Sequence, residues 1–148
     1  MIQFRVTREI RARPAELYAW LSDYSNSDYT GPNWPTNEGM RRVVKEQDEH
    51  HAVFSDFYRR AELEYRAEKR APTGIESKGT GKNLNGHVRV SISPASEGSR
   101  VVIDFRFEPK GVARLFGGLM SGQVERATIR QFDSFLKDFA TAGNAGPG

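Results

Sequence analysis

Between Val112 and Phe139 apolar side chains fall at Val112, Leu115, Phe116, Leu119, Met120, Val124, Phe132, Phe135, Leu136 and Phe139, with a wider gap after Val124 where only Ala127 and Thr128 lie between on that side. Most of these steps are one, three or four residues, the spacing that gathers side chains on one face of an α-helix. At about 1.5 Å per residue such a helix would be roughly 40 Å long, enough to cross a small domain. An apolar stripe of that length needs a cover. Residues 1–110 read mostly as short alternating strands, so the pattern predicts an α+β fold in which a curved antiparallel sheet wraps one long C-terminal helix. Gly117, Gly118 and Gly122 each disfavour helix by about 1 kcal/mol relative to Ala. The helix is therefore expected to become firm only after Gly122, with Val112 to Met120 a mobile or kinked approach to it.

Ahead of that segment, Ile2, Phe4, Val6 and Ile10 share one parity and Gln3, Arg5, Thr7 and Glu9 the other, which is a half-buried strand. Arg8 has the apolar parity and so is directed to the core side unless a bulge intervenes. A helix follows, with Pro14 in its first turn and Leu17, Trp20, Leu21 and Tyr24 at i, i+3, i+4 and i+7. From Ser22 to Gly39 the composition turns to Ser, Asn, Asp, Gly and Pro, a loop with room for one more short helical turn and with Tyr29 and Trp34 embedded in it. Strands are expected at Arg41–Glu46, His51–Tyr58, Ala61–Glu68, Ile75–Gly79, His87–Ser93 and Val101–Glu108, with Gly81–Asn85 as loop. Arg59 and Arg60 fit a tight turn or a bend equally. Short connections make these six strands an antiparallel meander.

Composition narrows the function classes. The chain has 148 residues and no cysteine, which excludes disulfides, thiolate chemistry and zinc sites built on Cys. Twenty-two basic against 19 acidic residues give a formal charge of +3. That mild imbalance reads as an ordinary solvated surface, with no nucleic-acid partner expected. No apolar run approaches a membrane span and the first residues are already strand-like, so no stable membrane insertion and a cytoplasmic location are expected.

The run Ile10, Ala12, Pro14, Leu17, Leu21 and Asp23 after the first strand, then Val90–Pro94, Gly98 and Val101–Pro109, and finally Arg126, Arg130, Gln131, Phe135, Leu136 and Lys137, resemble the START-like, helix-grip (SRPBCC) superfamily, in its polyketide cyclase/dehydrase-type branch. Arg100 stands where that family often has a small polar residue. The resemblance implies a single domain over residues 1–142 with a flexible tail at 143–148. It also implies a seven-stranded sheet gripping the last helix, with short helices between strands 1 and 2. Between sheet and helix it implies a cavity for a small, mostly apolar molecule such as a lipid, polyketide, isoprenoid or aromatic compound. Leu119, Val124, Phe132, Phe135 and Phe139 would then be both core and cavity wall. No one residue set serves the whole superfamily, so the fold does not choose the function.

Candidate cavity residues are Arg8, Trp34, Phe54, Asp56, Tyr58, Tyr65, Phe105, Leu119 and Phe132. A buried Arg8 needs an acidic partner or a bound anion. Asp56 is the candidate partner through its parity with Phe54 and Tyr58, although His51, Val53, Ser55 and Phe57 make the other parity nearly as good. A rim ion pair, or a solvent-facing Arg8, is the alternative. Tyr58 and Tyr65 suit hydrogen bonding to a ligand or general-acid work, and equally suit core packing. Trp34 with Tyr29 reads either as a lid over the cavity or as a loop anchor. His50 and His51 project to opposite faces of a strand and cannot share a metal without distortion, so a charged hairpin tip is expected and no metal. His87 is expected at the surface, and Asp104 and Arg106 in cross-strand ion pairs with Arg89. No nucleophile elbow, phosphate loop or dinucleotide fingerprint is present, and no cofactor is expected. The first reading is binding or carriage of a small hydrophobic molecule. The alternatives are a cyclase/dehydratase-type enzyme and a protein-interaction module with a filled core; catalytic residues and oligomeric state stay undetermined.

Overall fold

The computed structural model describes residues 1–24, 40–58 and 61–141. Tyr29, Trp34, Arg59, Arg60 and the tail 143–148 lie outside these residues, as does any second short helix before strand 2. Strand β1 (Ile2–Ile10) leads to helix α1 (Pro14–Ser22). Strands β2 (Met40–Gln47), β3 (His51–Tyr58), β4 (Ala61–Arg70), β5 (Gly74–Gly81), β6 (Leu84–Ala95) and β7 (Gly98–Pro109) follow. A 3-10 helix (Gly111–Phe116) then precedes helix α2 (Gly117–Thr141).

All seven strands pair antiparallel in the order β1-β7-β6-β5-β4-β3-β2, an open curved sheet whose edges are β1 and β2. The meander from β2 to β7 is as the spacing implies. β1 joins it beside β7, so the segment containing α1 carries the chain from one edge of the sheet to the other.

Alternation in the sequence becomes two faces. Ile2 and Val6, Ala52 and Phe54, Tyr65 and Ala67, Ile75, Ile92, and Val101 through Phe107 at every second position are buried on the inner face. Phe132, Leu136 and Phe139 of α2 are buried with them, as are Leu17 and Leu21 of α1. The two helices meet where the Trp20 and Phe139 rings lie 5.6 Å apart. Pro14 opens α1 where a missing N–H costs nothing, and Arg13 supplies the carbonyl that accepts from the amides of Glu16 and Leu17. At the far end the Ser99 hydroxyl donates to the Ala12 carbonyl at 2.6 Å, pinning the β6–β7 hairpin under the start of α1.

Three expectations change. The stretch Gly81–Asn85 is not a loop: β5 reaches Gly81 and β6 starts at Leu84, leaving only Lys82 and Asn83 to turn. Lys110 holds that turn in place, its amide donating to the Asn83 carbonyl (2.8 Å) and its ammonium to the Gly81 carbonyl (2.7 Å) and Asn85 (3.2 Å). The break in the C-terminal segment falls before Gly117, and Gly118 and Gly122 are already helical. Burial of Phe132, Leu136 and Phe139 against the sheet outweighs glycine's local preference. On the outer face Asp104 pairs with Arg5 at 2.6 Å instead of with its register partner Arg89, whose guanidinium lies 3.7 Å from Glu76.

Candidate functional site

The register lines up rows of side chains across the inner face. One row runs Val44, Phe54, Tyr65, Gly79, Gly86, Phe107, Ile2. The next toward the β7 C-terminus begins Arg42, Asp56, Leu63, Gly81. A third, on the other side of the first, contains Ala52, Ala67, Ser77, Val88, Phe105 and Phe4. At the β5 and β6 positions of the first row there are no side chains. Tyr65 fills that space by lying flat: a Cβ on Gly79 would come 2.6 Å from its ring, and one on Gly86 would come 2.7 Å from its hydroxyl.

Onto this floor α1 delivers Tyr24. Its ring stacks on Phe54 at 4.3 Å, and Phe54 stacks on Tyr65 at 5.3 Å. Arg42 covers the Phe54 ring at 4.3 Å and the Tyr24 ring at 5.3 Å. Its Nε and one terminal nitrogen grip the two carboxylate oxygens of Asp56 at 2.6 and 2.8 Å. Both side chains of this pair are only 15% exposed, and bidentate geometry is what makes such an enclosed pair tolerable.

The position of Tyr24 is set from the β2 end. Gln47 accepts from the Tyr24 amide (3.2 Å) and donates to the Asp23 carboxylate (3.0 Å). Lys69 donates to Gln47 (3.2 Å) and to the Asp48 carbonyl (2.8 Å), its ammonium 5.9 Å from the Tyr24 ring. Burial lowers the Lys69 pKa. The Tyr24 hydroxyl lies 3.4 Å from that of Ser77. Burial pushes the Tyr24 phenol up, against the opposing pull of Ser77 and Arg42, and burial followed by the Asp56 charge pushes Tyr65 far above the usual range. Both phenols therefore stay protonated at neutral pH and can serve as donors. Tyr18 on α1 is close enough to raise the Tyr24 pKa further, and its own hydroxyl is buried with no hydrogen-bond partner among the described residues.

Three of the expected cavity residues, Phe54, Asp56 and Tyr65, meet in this cluster. Phe105 packs instead on Phe4 (5.0 Å) toward the β1 edge, and Phe132 is buried on the sheet-facing side of α2. The backbone of Tyr58 pairs with Ala61, and Leu119 sits in the first turn of α2; their side chains, like that of Phe135, lie outside what is described. Arg8 does not pair with Asp56. It has the inward parity, but four strands separate β1 from β3, about 24 Å at 4.8 Å per step. Its partner is Asp133 of α2, at 3.0 and 3.2 Å, in a half-exposed rim bridge. The residues that strand reading passed over are Tyr18, Arg42, Gln47, Lys69 and Ser77. Arg42 carried a signal, since it shares the parity of Val44 on β2.

Among the described residues, the other polar groups considered are already engaged. His50 and His51 sit at the β2–β3 turn, where their amides both donate to Asp48. His87 is half-buried and bonds Glu76 at 2.8 Å. A depression of about 270 Å³ at the β4–β5 turn is lined by Arg70, Glu76 and Arg89, whose charges already face one another.

The family described as polyketide cyclase/dehydrase and lipid transport matches residues 1–142. The chain belongs to that family. Its helix-grip fold recurs in solved structures of low identity, which show the fold alone. The protein TTHA0849 from Thermus thermophilus has a TM-score of 0.71 at 18% identity, covering 92% of each chain. The di-domain ARO/CYC protein BexL of the BE-7585A biosynthetic pathway has 0.70 at 13%, covering 98% of this chain and 50% of that one. A START superfamily protein from Mycobacterium smegmatis has 0.63 at 13%, covering 90% and 94%. No curated protein matches the chain. In this member of the polyketide cyclase/dehydrase family, the aromatic stack with the enclosed Arg42–Asp56 pair is the candidate site among the described residues.

Proposed function

We propose that the chain binds one small, mostly apolar molecule carrying an oxygen acceptor, and holds it on the inner face of the sheet beside Tyr24, Phe54 and Tyr65. The observation that supports this most is the Tyr18 hydroxyl, a buried donor with no hydrogen-bond partner among the described residues. Leaving such a group unsatisfied costs about 1–3 kcal/mol, and a ligand oxygen would recover it. Stacked rings give an apolar surface and the neutral Arg42–Asp56 pair a polar edge beside it, so a planar compound with a carbonyl or hydroxyl suits the site.

Binding or carriage is preferred to catalysis because both oxygens of Asp56 already accept from Arg42 and the phenols are held protonated. The cyclase/dehydratase alternative draws on those same phenols, which could polarise a carbonyl and protonate a leaving hydroxyl.

The test is extraction and mass spectrometry of the purified protein to identify a copurified compound, followed by its titration against Tyr18→Phe. Loss of the hydroxyl is expected to weaken binding about tenfold while raising the melting temperature of the empty protein. Equal affinity for both proteins would refute the role of Tyr18. Turnover of the identified compound would decide for the enzyme.

A further inference from the structure

Among the described residues, four large apolar side chains are more than a third exposed: Met1, Val43, Val112 and Leu115. Three of them lie at one end of the molecule. Met1 precedes Ile2, which pairs with Phe107 near the end of β7, and Val112 (73% exposed) and Leu115 (79%) stand on the 3-10 helix that follows. On the segment that follows Glu108, itself exposed at the end of β7, the charge has one sign. From Lys110 to Val124 the sequence has Lys110 and Arg114 and no acidic residue. Arg114 is exposed between the two apolar side chains, and exposed Lys82 belongs to the turn whose Asn83 carbonyl accepts from Lys110.

We propose that this end of the molecule docks on an anionic phospholipid surface, with Val112 and Leu115 entering the interface and Arg114 and Lys82 facing the headgroups. Apolar side chains interleaved with cations, on an element too short and too charged to span, suit a bilayer boundary. The overall charge of +3 gives no hint of this, because it does not say where along the chain the cations gather. The docking end is also the end nearest the Arg42–Asp56 pair, whose row of the sheet includes Gly81, and Gly81 is bonded by Lys110. If the ligand reading above holds, a molecule could pass between bilayer and inner face with little exposure to water. The docking itself does not depend on that reading.

The test is co-sedimentation of the full chain with vesicles of phosphatidylcholine alone or mixed three to one with phosphatidylglycerol, at low and at physiological salt. Binding is expected to the anionic vesicles only and to weaken with salt. The Val112→Glu, Leu115→Glu double variant should bind at least about tenfold more weakly. Arg114→Glu should bind about fivefold or more weakly, and Val43→Glu on β2 should bind as the unaltered protein does. All four positions are exposed, and circular dichroism checks folding; Val112→Ser with Leu115→Ser replaces the glutamate pair should that pair unfold. Failure of the unaltered protein to sediment with anionic vesicles at low salt overturns the proposal. So does equal binding by the double variant, or its conversion of a dimer to a monomer, which would make this face a contact between copies. Ligand affinity in vesicle-free solution is expected to be unchanged in the double variant, so docking and ligand binding fail independently.

Discussion

The Tyr65 ring lies against the backbone of Gly79, so close that a Cβ there would stand 2.6 Å from it. Directly paired residues on neighbouring strands thus act as one unit, with the glycine of β5 providing the space that the tyrosine of β4 fills. Gly79→Ala is expected to destabilise the protein by about 2–4 kcal/mol, since the ring must leave its position in the Phe54 stack. In a Tyr65→Ala background the same substitution should cost far less, with a coupling of at least about 1 kcal/mol in a double-mutant cycle read by urea unfolding. Additive effects would mean that the ring has room to move aside.

Arg42 and Asp56 should behave as a pair. Removing one partner leaves a charge in a place that is 15% exposed, so Arg42→Met and Asp56→Asn are each expected to cost about 2–4 kcal/mol. The double variant Arg42→Met, Asp56→Leu should be more stable than the sum of the single losses implies. Thermal unfolding of the three proteins checks this. If binding of the extracted ligand survives in a stable double variant, the pair's role is structural only.

These residues show how far the sequence could be read. Periodicity found the strands, the long helix and their order, because one face of each must be buried and the period reports which. Family resemblance found the way sheet and helix close. Parity directed Arg8 to the inner face and left Asp56 nearly balanced between the two faces, and because parity has no lateral coordinate it was strand order that parted them. The turn at Lys82 and Asn83 was missed because its stability comes from Lys110, which is distant in sequence and reaches it only once β6 and β7 have paired. Tyr18 could not be singled out, since a helical tyrosine reads the same in sequence whether or not its hydroxyl finds a partner.

Glu76 gives a pH test on the outer face. The hydrogen bond from His87 holds its carboxyl below the usual carboxylate value, with Arg89 and Arg70 adding to the effect. A carboxylate with a depressed folded pKa contributes stability above its unfolded value of 4.5, and that stability is lost as pH falls through the lower folded value. The melting-temperature gap between the unaltered protein and Glu76→Gln should therefore be full at about pH 6–7 and close below about pH 4.5. A gap that persists unchanged at about pH 3.5 would show that the glutamine acts through packing and not through lost charge.

The start of α2 supplies the last expectation. Gly118 is exposed and helical, and a Cβ built on it meets nothing within 4 Å. Alanine there removes backbone freedom from the unfolded chain and introduces no clash, so Gly118→Ala should stabilise the protein by about 1 kcal/mol. Gly122 differs in that its added Cβ would come 3.3 Å from the end of the Arg126 side chain, a flexible group that can yield, so Gly122→Ala should gain less. Hydrogen exchange sharpens the comparison. In the unaltered protein, protection is expected to rise from the 3-10 helix into α2 and to be highest near Phe132, Leu136 and Phe139, where the helix is buried. Gly118→Ala should raise protection in the first turns and leave the last turns as they were. If it lowers the melting temperature instead, the opening turns of α2 are not helical in solution, and the firm part of the helix begins after Gly122.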